Sequence, residues 1–384
     1  MAYVVLVSDP LAEEGLERLK SYPDVEVEVH TDWDEERLER EIGRFDALLV
    51  RSGTQVTARI IDAGTRLKVI GRAGVGVDNI DVDAATKKGI IVINSPDGNT
   101  LSAAEHTVAL MLSLARQIPQ AHHALVHERQ WNRSRFTGVQ IAGKALGVVG
   151  LGRIGSEVAR RAIGLDMRVL GYDPYISPER AKQLGVELVD LDTLCREADF
   201  ITVHVPLTKQ NAGLIGAPQF ALMKRGVRLI NAARGGIVDE PALLRALDSG
   251  QLRGTGLDVF EPEPLPLASP LRTHPKLTPL PHIGSATHET RRRMAELATD
   301  NLLQALAEGW PGDVDRGTLI ARAFRTRDPQ GIPLEFYARM DRLPPIHQQY
   351  KLYHGVKPLR IDHFNCFSPD VDAAVGFWNE IGFR

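Results

Sequence analysis

The stretch "GVVGLGRIGSEVA" constrains the fold of this chain more than any other. Gly150, Gly152 and Gly155 stand in the G-x-G-x-x-G spacing, after an apolar strand-like run and at the opening of a helix-like one. Alone, the spacing is weak, because glycine is common in loops. Here Asp173 closes the next strand-like run, "VLGYD", about 20 residues further on. That context asks for a βαβ unit. Gly150 permits the tight turn, Gly152 lets the backbone approach a pyrophosphate, and Gly155 lets the helix pack closely on the strand. The phosphates then lie at the helix N-terminus, where free N–H groups and the helix dipole favour negative charge. Asp173 is suited to an adenosine ribose diol and would repel a 2′-phosphate, so NAD is expected rather than NADP.

The same alternation runs through most of the chain. "YVVLVS", "VEVEVH", "ALLVRS", "LKVIGRAG" and "IIVIN" are short apolar runs separated by helix-like segments. A second series, "KALGVVG", "RVLGYD", "FITVHVP", "VRLINAA", "GTGLDVF" and "KLTPLPH", follows a long helix-like segment, "TLSAAEHTVALMLSLARQI". Two βα series predict an α/β fold with two Rossmann-like, doubly wound parallel sheets. A length of 384 residues leaves room for both. A net charge of -3 gives no footprint for nucleic acid, and no run approaches the ~18 apolar residues of a membrane span. "ETRRRM" sits in a helical pattern and reads as a solvated face. The two cysteines, Cys195 and Cys366, support neither a disulfide framework nor a cysteine zinc site, and point to a reducing cytoplasm.

Three segments each follow the end of an expected strand: "NAARGGIVDE", "GLDVFEPEP" and "PLPHIGSAT". Parallel strands bring their C-terminal ends to one edge, where doubly wound folds bind ligands. Arg234, Glu263 and His282 would converge there. An arginine can hold a substrate carboxylate in a bidentate grip, a histidine can exchange the hydroxyl proton, and a carboxylate can orient the ring and favour its protonated form. These are the groups needed to oxidise a hydroxy acid as hydride leaves its C2.

From residue 1 to about 310, the chain resembles the D-isomer-specific 2-hydroxyacid dehydrogenases. "GRAGVGVDNID", "GNTLSAAEHT", "GLGRIGSEVA", "NAARGGIVDE", "DVFEPEP" and "PHIGSATHET" match family motifs in family order. The resemblance implies Arg234, Glu263 and His282 as catalytic residues. It adds Arg153, Ile154, Val205, Pro206, Ala233 and Asp258 to the cofactor contacts, and Arg51, Ser52, Val75 and Gly76 to the substrate pocket. The backbone N–H groups at Val75 and Gly76 suit a carboxylate. The implied architecture is a flavodoxin-like catalytic domain (1–99 and 286–312) with an NAD-binding domain (100–285) inserted into it. A homodimer built on the long helix and the segment after it is implied too, which leaves His106 structural. No metal is expected.

"VRSGTQVT", the segment around Val75 and "YDPYIS" resemble the branch that oxidises 3-phosphoglycerate toward serine. Trp131, Arg133, Arg135 and Phe136 also fit that branch; the two arginines either reach a substrate phosphate or form a solvated loop. "PHIGSATHETRRRM" is closer to the glyoxylate/hydroxypyruvate reductase branch. A protein that senses NAD(H) without turnover is the alternative of another class. One departure is "LTPLPHIG", where the family commonly has threonine and proline directly before the histidine, so a small shift of His282 is open.

After about residue 312 the pattern changes. "RDPQGIPLEFYARM" and "LRIDHFNCFSPDVDAAVGFWNEIGF" resemble a truncated piece of an extradiol ring-cleavage dioxygenase of the vicinal oxygen chelate type. The resemblance would make His363 an iron ligand by descent. A facial triad needs two histidines and a carboxylate, and Glu335 with His363 does not complete one, so no metal centre is expected there.

Overall fold

The computed structural model describes residues 2–95, 98–308, 323–327 and 333–337. The first series forms β1 (Tyr3–Val7), α1 (Glu13–Lys20), β2 (Val25–Val29), α2 (Glu35–Glu41) and β3 (Ala47–Val50). It continues with α3 (Ala58–Ala63), β4 (Val69–Arg72), α4 (Val82–Lys87) and β5 (Ile91–Ile93). These strands make one parallel five-stranded sheet in the order β2-β1-β3-β4-β5.

The long helix-like segment is two helices, α5 (Thr100–Arg116) and α6 (Ile118–Val126). Periodicity alone reads it as one, because the apolar spacing runs across the break. Gln117 adopts a left-handed backbone, φ 54°, and Pro119 falls in the first turn of α6, where its missing N–H costs nothing.

The second series runs β6 (Ala145–Val149), α7 (Arg153–Ile163), β7 (Arg168–Tyr172), α8 (Pro178–Gln183), β8 (Glu187–Leu188) and α9 (Leu191–Glu197). Then come β9 (Phe200–Val203), α10 (Ala217–Leu222), β10 (Val227–Asn231), α11 (Glu240–Asp248), β11 (Leu252–Leu257) and β12 (Leu277–Pro279). The seven strands are parallel in the order β12-β11-β10-β9-β6-β7-β8. The chain leaves β6 in one direction and later returns to its other side, so the switch in strand order lies between β6 and β9. α5 lies on this sheet, with Leu110, Met111 and Leu114 buried against Leu146, Val148 and Ile230.

Helix α12 (His288–Glu308) returns to the first sheet. Ala298, Leu302, Leu303 and Leu306 pack with Val5, Val7, Leu49 and Val69 in one core. Gly15 of α1 is pressed so closely on Ala295 that any side chain there would collide, and Thr299 donates to its carbonyl at 3.1 Å. Burying a leucine such as Leu302, which has no exposed surface, is worth ~1.5–3 kcal/mol. The last helix thus completes the layer that the first residues begin.

β13 (Ala323–Arg327) and β14 (Pro333–Tyr337) form an antiparallel pair. The rest of the segment for which the sequence suggested a dioxygenase resemblance, His363 and Cys366 included, lies outside the described residues. Among the described residues, no helix is long and apolar enough to cross a membrane.

Candidate active site

The loops that follow β3 and β4 face the loops that follow β10, β11 and β12 across an open cleft of about 860 Å³. Its walls carry the three catalytic candidates, Arg234, Glu263 and His282, and the four substrate candidates, Arg51, Ser52, Val75 and Gly76.

His282 and Glu263 form a pair, Nδ1 to Oε2 at 2.8 Å. The other oxygen of Glu263 accepts from the amide of Phe260 at 2.9 Å. Partial burial alone would push the Glu263 carboxyl up. The hydrogen bonds from His282 and the Phe260 amide, with the charges of His282 and Arg234, outweigh it and hold it below the ordinary carboxylate range. The additional residues of "LTPLPH" therefore do not break the pairing. His282 itself has a left-handed backbone, φ 53°, a conformation that costs a residue with a side chain ~1–3 kcal/mol. Asp258 holds that turn: its two oxygens accept from the amides of Ile283 at 2.8 Å and Gly284 at 2.7 Å.

Arg234 reaches the opposite wall, with Nε 3.2 Å from Asp78 Oδ2. Gly76 lies against its guanidinium, and a side chain at that position would strike it. The carbonyl of Val75 accepts from Asn94 at 2.6 Å and that of Gly76 from Arg72. Their N–H groups donate to no described residue. A carboxylate laid on Arg234 would meet those amides.

Asp9 was not visible as a site residue in the sequence. It is buried, and one oxygen accepts from the amides of Arg51 at 2.6 Å and Thr54 at 3.1 Å, which shapes the loop after β3. Arg72 and Arg291 were missed too, although both line the cleft. An arginine closing an apolar strand, as in "KVIGR", was the available signal for Arg72. Neither they nor Arg51 has a carboxylate within ion-pairing distance among the described residues. Burial pushes Arg51 below the ordinary arginine range, and the neighbouring Arg291 charge adds to it. Burial likewise lowers Arg72, with Arg234 and Arg51 contributing. Arg135, in contrast, is already paired with Glu128 at 2.6 Å.

Residues 108–284 match the NAD binding domain of the D-isomer specific 2-hydroxyacid dehydrogenases. A D-3-phosphoglycerate dehydrogenase of Archaeoglobus fulgidus is 49% identical over 307 residues, 80% of this chain and 58% of that protein. One of Bacillus subtilis is 49% identical over 317 residues, covering 80% and 57%. The solved D-lactate dehydrogenase of Aquifex aeolicus, complexed with NAD and lactic acid, is 31% identical with a TM-score of 0.70. The match covers 80% of this chain and 96% of that one. The chain belongs to the D-isomer specific 2-hydroxyacid dehydrogenase family. It spans 58% or less of the length of these two curated relatives. The comparisons with known proteins do not support the dioxygenase resemblance that the sequence suggested after about residue 312.

The matched segment, residues 108–284, contains all the cofactor candidates. Gly150, φ 95°, packs against the carbonyl of His204 at the end of β9, and a side chain there would clash. Gly155 lies against the carbonyl of Gly150, which brings α7 down onto the loop. Gly152 caps α7 with no side-chain bond, and the space where its Cβ would stand is open. Amides at a helix start with open space above them fit a pyrophosphate. Asp173 fixes the loop, accepting from the amides of Leu151 at 2.8 Å and Tyr175 at 2.9 Å. Each carboxylate oxygen keeps a lone pair for a ribose hydroxyl. Arg153 and Ile154 open α7; Val205 and Pro206 follow β9, and Ala233 follows β10. Asp258 has no exposed surface, and its recorded partners are in the turn and α5.

Proposed function

We propose that this chain is an NAD-dependent D-2-hydroxyacid dehydrogenase whose preferred substrate pair is D-3-phosphoglycerate and its 2-keto acid. The observation that carries the reading is one cleft in which the His282–Glu263 pair faces Arg234 and a set of arginines that have no carboxylate partner among the described residues. Cations crowded together at a cleft are stabilised when an anion enters between them. A substrate with a carboxylate and a phosphate supplies two. Arg234 and the amides of Val75 and Gly76 take the carboxylate. Arg51, Arg72 and Arg291 take the phosphate.

NAD, when bound, supplies or takes up the hydride at C2. In oxidation, Nε2 of His282 receives the proton of the C2 hydroxyl as the C–H bond breaks and the carbonyl forms. In reduction it returns that proton to the carbonyl oxygen. Glu263 holds the ring by Nδ1 and stabilises the positive charge that forms on it. Arg234 fixes which face of C2 is presented. Residues 1–99 with 286–312 would form one domain and 100–285 the other, closing over the substrate.

The names of the two curated relatives support the phosphorylated substrate, and the α12 sequence supports an unphosphorylated one as the second reading. The exposed apolar side chains Leu101, Leu112, Ile118, Leu125, Val126 and Trp131, on α5, α6 and the following loop, support a homodimer across this face. Two cysteines in unrelated sequence contexts support a reducing compartment, the cytoplasm, for this chain. NADH oxidation should be measured with phosphohydroxypyruvate, hydroxypyruvate and glyoxylate. The expected order has the phosphorylated acid first, and His282→Asn should lower turnover ~100-fold or more while NADH still binds. Turnover of none of the three would favour a sensor without catalysis, and an unchanged His282→Asn rate would exclude the acid–base role.

A further inference from the structure

His106 sits on α5, one turn below the face that packs on β11, and no step assigned above uses it. Its Nε2 is shut off from solvent, forms no well-directed hydrogen bond among the described residues, and lies 3.3 Å from Oδ2 of Asp258. Asp258 has no exposed surface at all. A carboxylate in that position is tolerated only when donors surround it. Two of its donors are the amides of Ile283 and Gly284, the residues directly after His282. The third polar neighbour on that side is His106.

The His282 turn packs closely on both side chains, Asp258 and His106. A Cβ on Gly284 would stand 3.2 Å from Asp258 Oδ2 and 3.6 Å from the His106 ring. The platform beneath is firm, because Ala103, Ala104 and Thr107 are buried, and Leu110 fits against Gly256 of β11. We propose that His106 is a positioning residue: through Asp258 it fixes the amides that hold His282 in its left-handed turn. The inference rests on the acid–base reading of His282.

Two substitutions separate this role from simple packing. His106→Leu fills the space without a donor, and His106→Gln carries an amide N–H to about the same reach. Hydrogen exchange of the segment 280–286, followed by mass spectrometry, reads the turn without relying on turnover. Exchange there should speed about tenfold or more in His106→Leu and stay within about threefold of the parent in His106→Gln. In the same pair, kcat should fall about tenfold and about twofold or less, while the NADH Kd from fluorescence moves less than about twofold. Unchanged exchange in His106→Leu overturns the proposal. Equal losses in both variants also overturn it, since they would make the residue a space filler. Should His106→Leu fail to fold, His106→Asn, whose amide is too short to reach, replaces it with the same expectations. If the parent turns over no keto acid, the catalytic reading fails, and the exchange contrast still decides what His106 does to the turn.

Discussion

Replacing Arg291 by alanine is the sharpest way to ask what the cleft was built to hold. Arg291 opens toward solvent at the start of α12, lines the cleft and adds its charge to that felt by Arg51. A guanidinium and a phosphate oxygen roughly 4 Å apart attract by ~1 kcal/mol per charge pair in water-like surroundings and ~4 kcal/mol at an effective dielectric of ~20. Arg291 is exposed, so the lower end applies, and a phosphate bearing close to two charges gives ~1–2 kcal/mol. That is about a tenfold rise in KM for phosphohydroxypyruvate. The contact is made equally in the ground and transition states, so kcat should stay within about twofold. For hydroxypyruvate the same guanidinium faces no anion, and KM should change by less than about twofold. Steady-state kinetics on both acids at fixed ionic strength, with Arg291→Lys as the variant that keeps the charge, gives the comparison. An equal rise in KM for both acids would refute the assignment and place Arg291 on the carboxylate. A loss in kcat alone would refute the uniform-binding argument.

Two further outcomes follow from the packing and the charges. Gly155→Val should abolish NADH binding, because its side chain would be driven into the carbonyl of Gly150 and lift α7 from the loop; dye-detected melting with and without NADH would show the lost ligand stabilisation. The Glu28 carboxyl, held by Arg44 against partial burial, is lowered from the ordinary 4.5 to about 2. A carboxylate depressed in the folded state adds stability that is full above about 4.5 and lost as pH falls toward 2. Glu28→Gln should then cost ~1 kcal/mol in urea unfolding at pH ~7 and close to nothing near pH ~2, with a constant difference counting against the pairing.

The glycine loop and the convergence of Arg234, Glu263 and His282 on one cleft were legible in the sequence for a physical reason. Gly150 and Gly155 are demanded by backbone approaches that no side chain allows, and strand-end loops carry Arg234, Glu263 and His282 to one edge whatever the details of packing. The break at Gln117 was not legible, because a left-handed residue between two amphipathic segments leaves their apolar spacing nearly in phase. Asp9 and His106 were illegible for another reason. Each acts on backbone amides or a buried carboxylate far away in the chain, and neither stands in a spacing that implies its partner.

What the amino-acid order determined by itself was the alternation of strand and helix, the parallel sheets that follow from it, and the chemistry available at the strand ends. Tertiary structure alone decided which charges meet. It set α12 beside the first sheet, and so put Arg291 in the same cleft as Arg51 and Arg72, which are more than two hundred residues away in sequence. It also buried Asp258 between α5 and the His282 turn. Charge repulsion and desolvation depend on distance and solvent exclusion, and neither is written in local spacing.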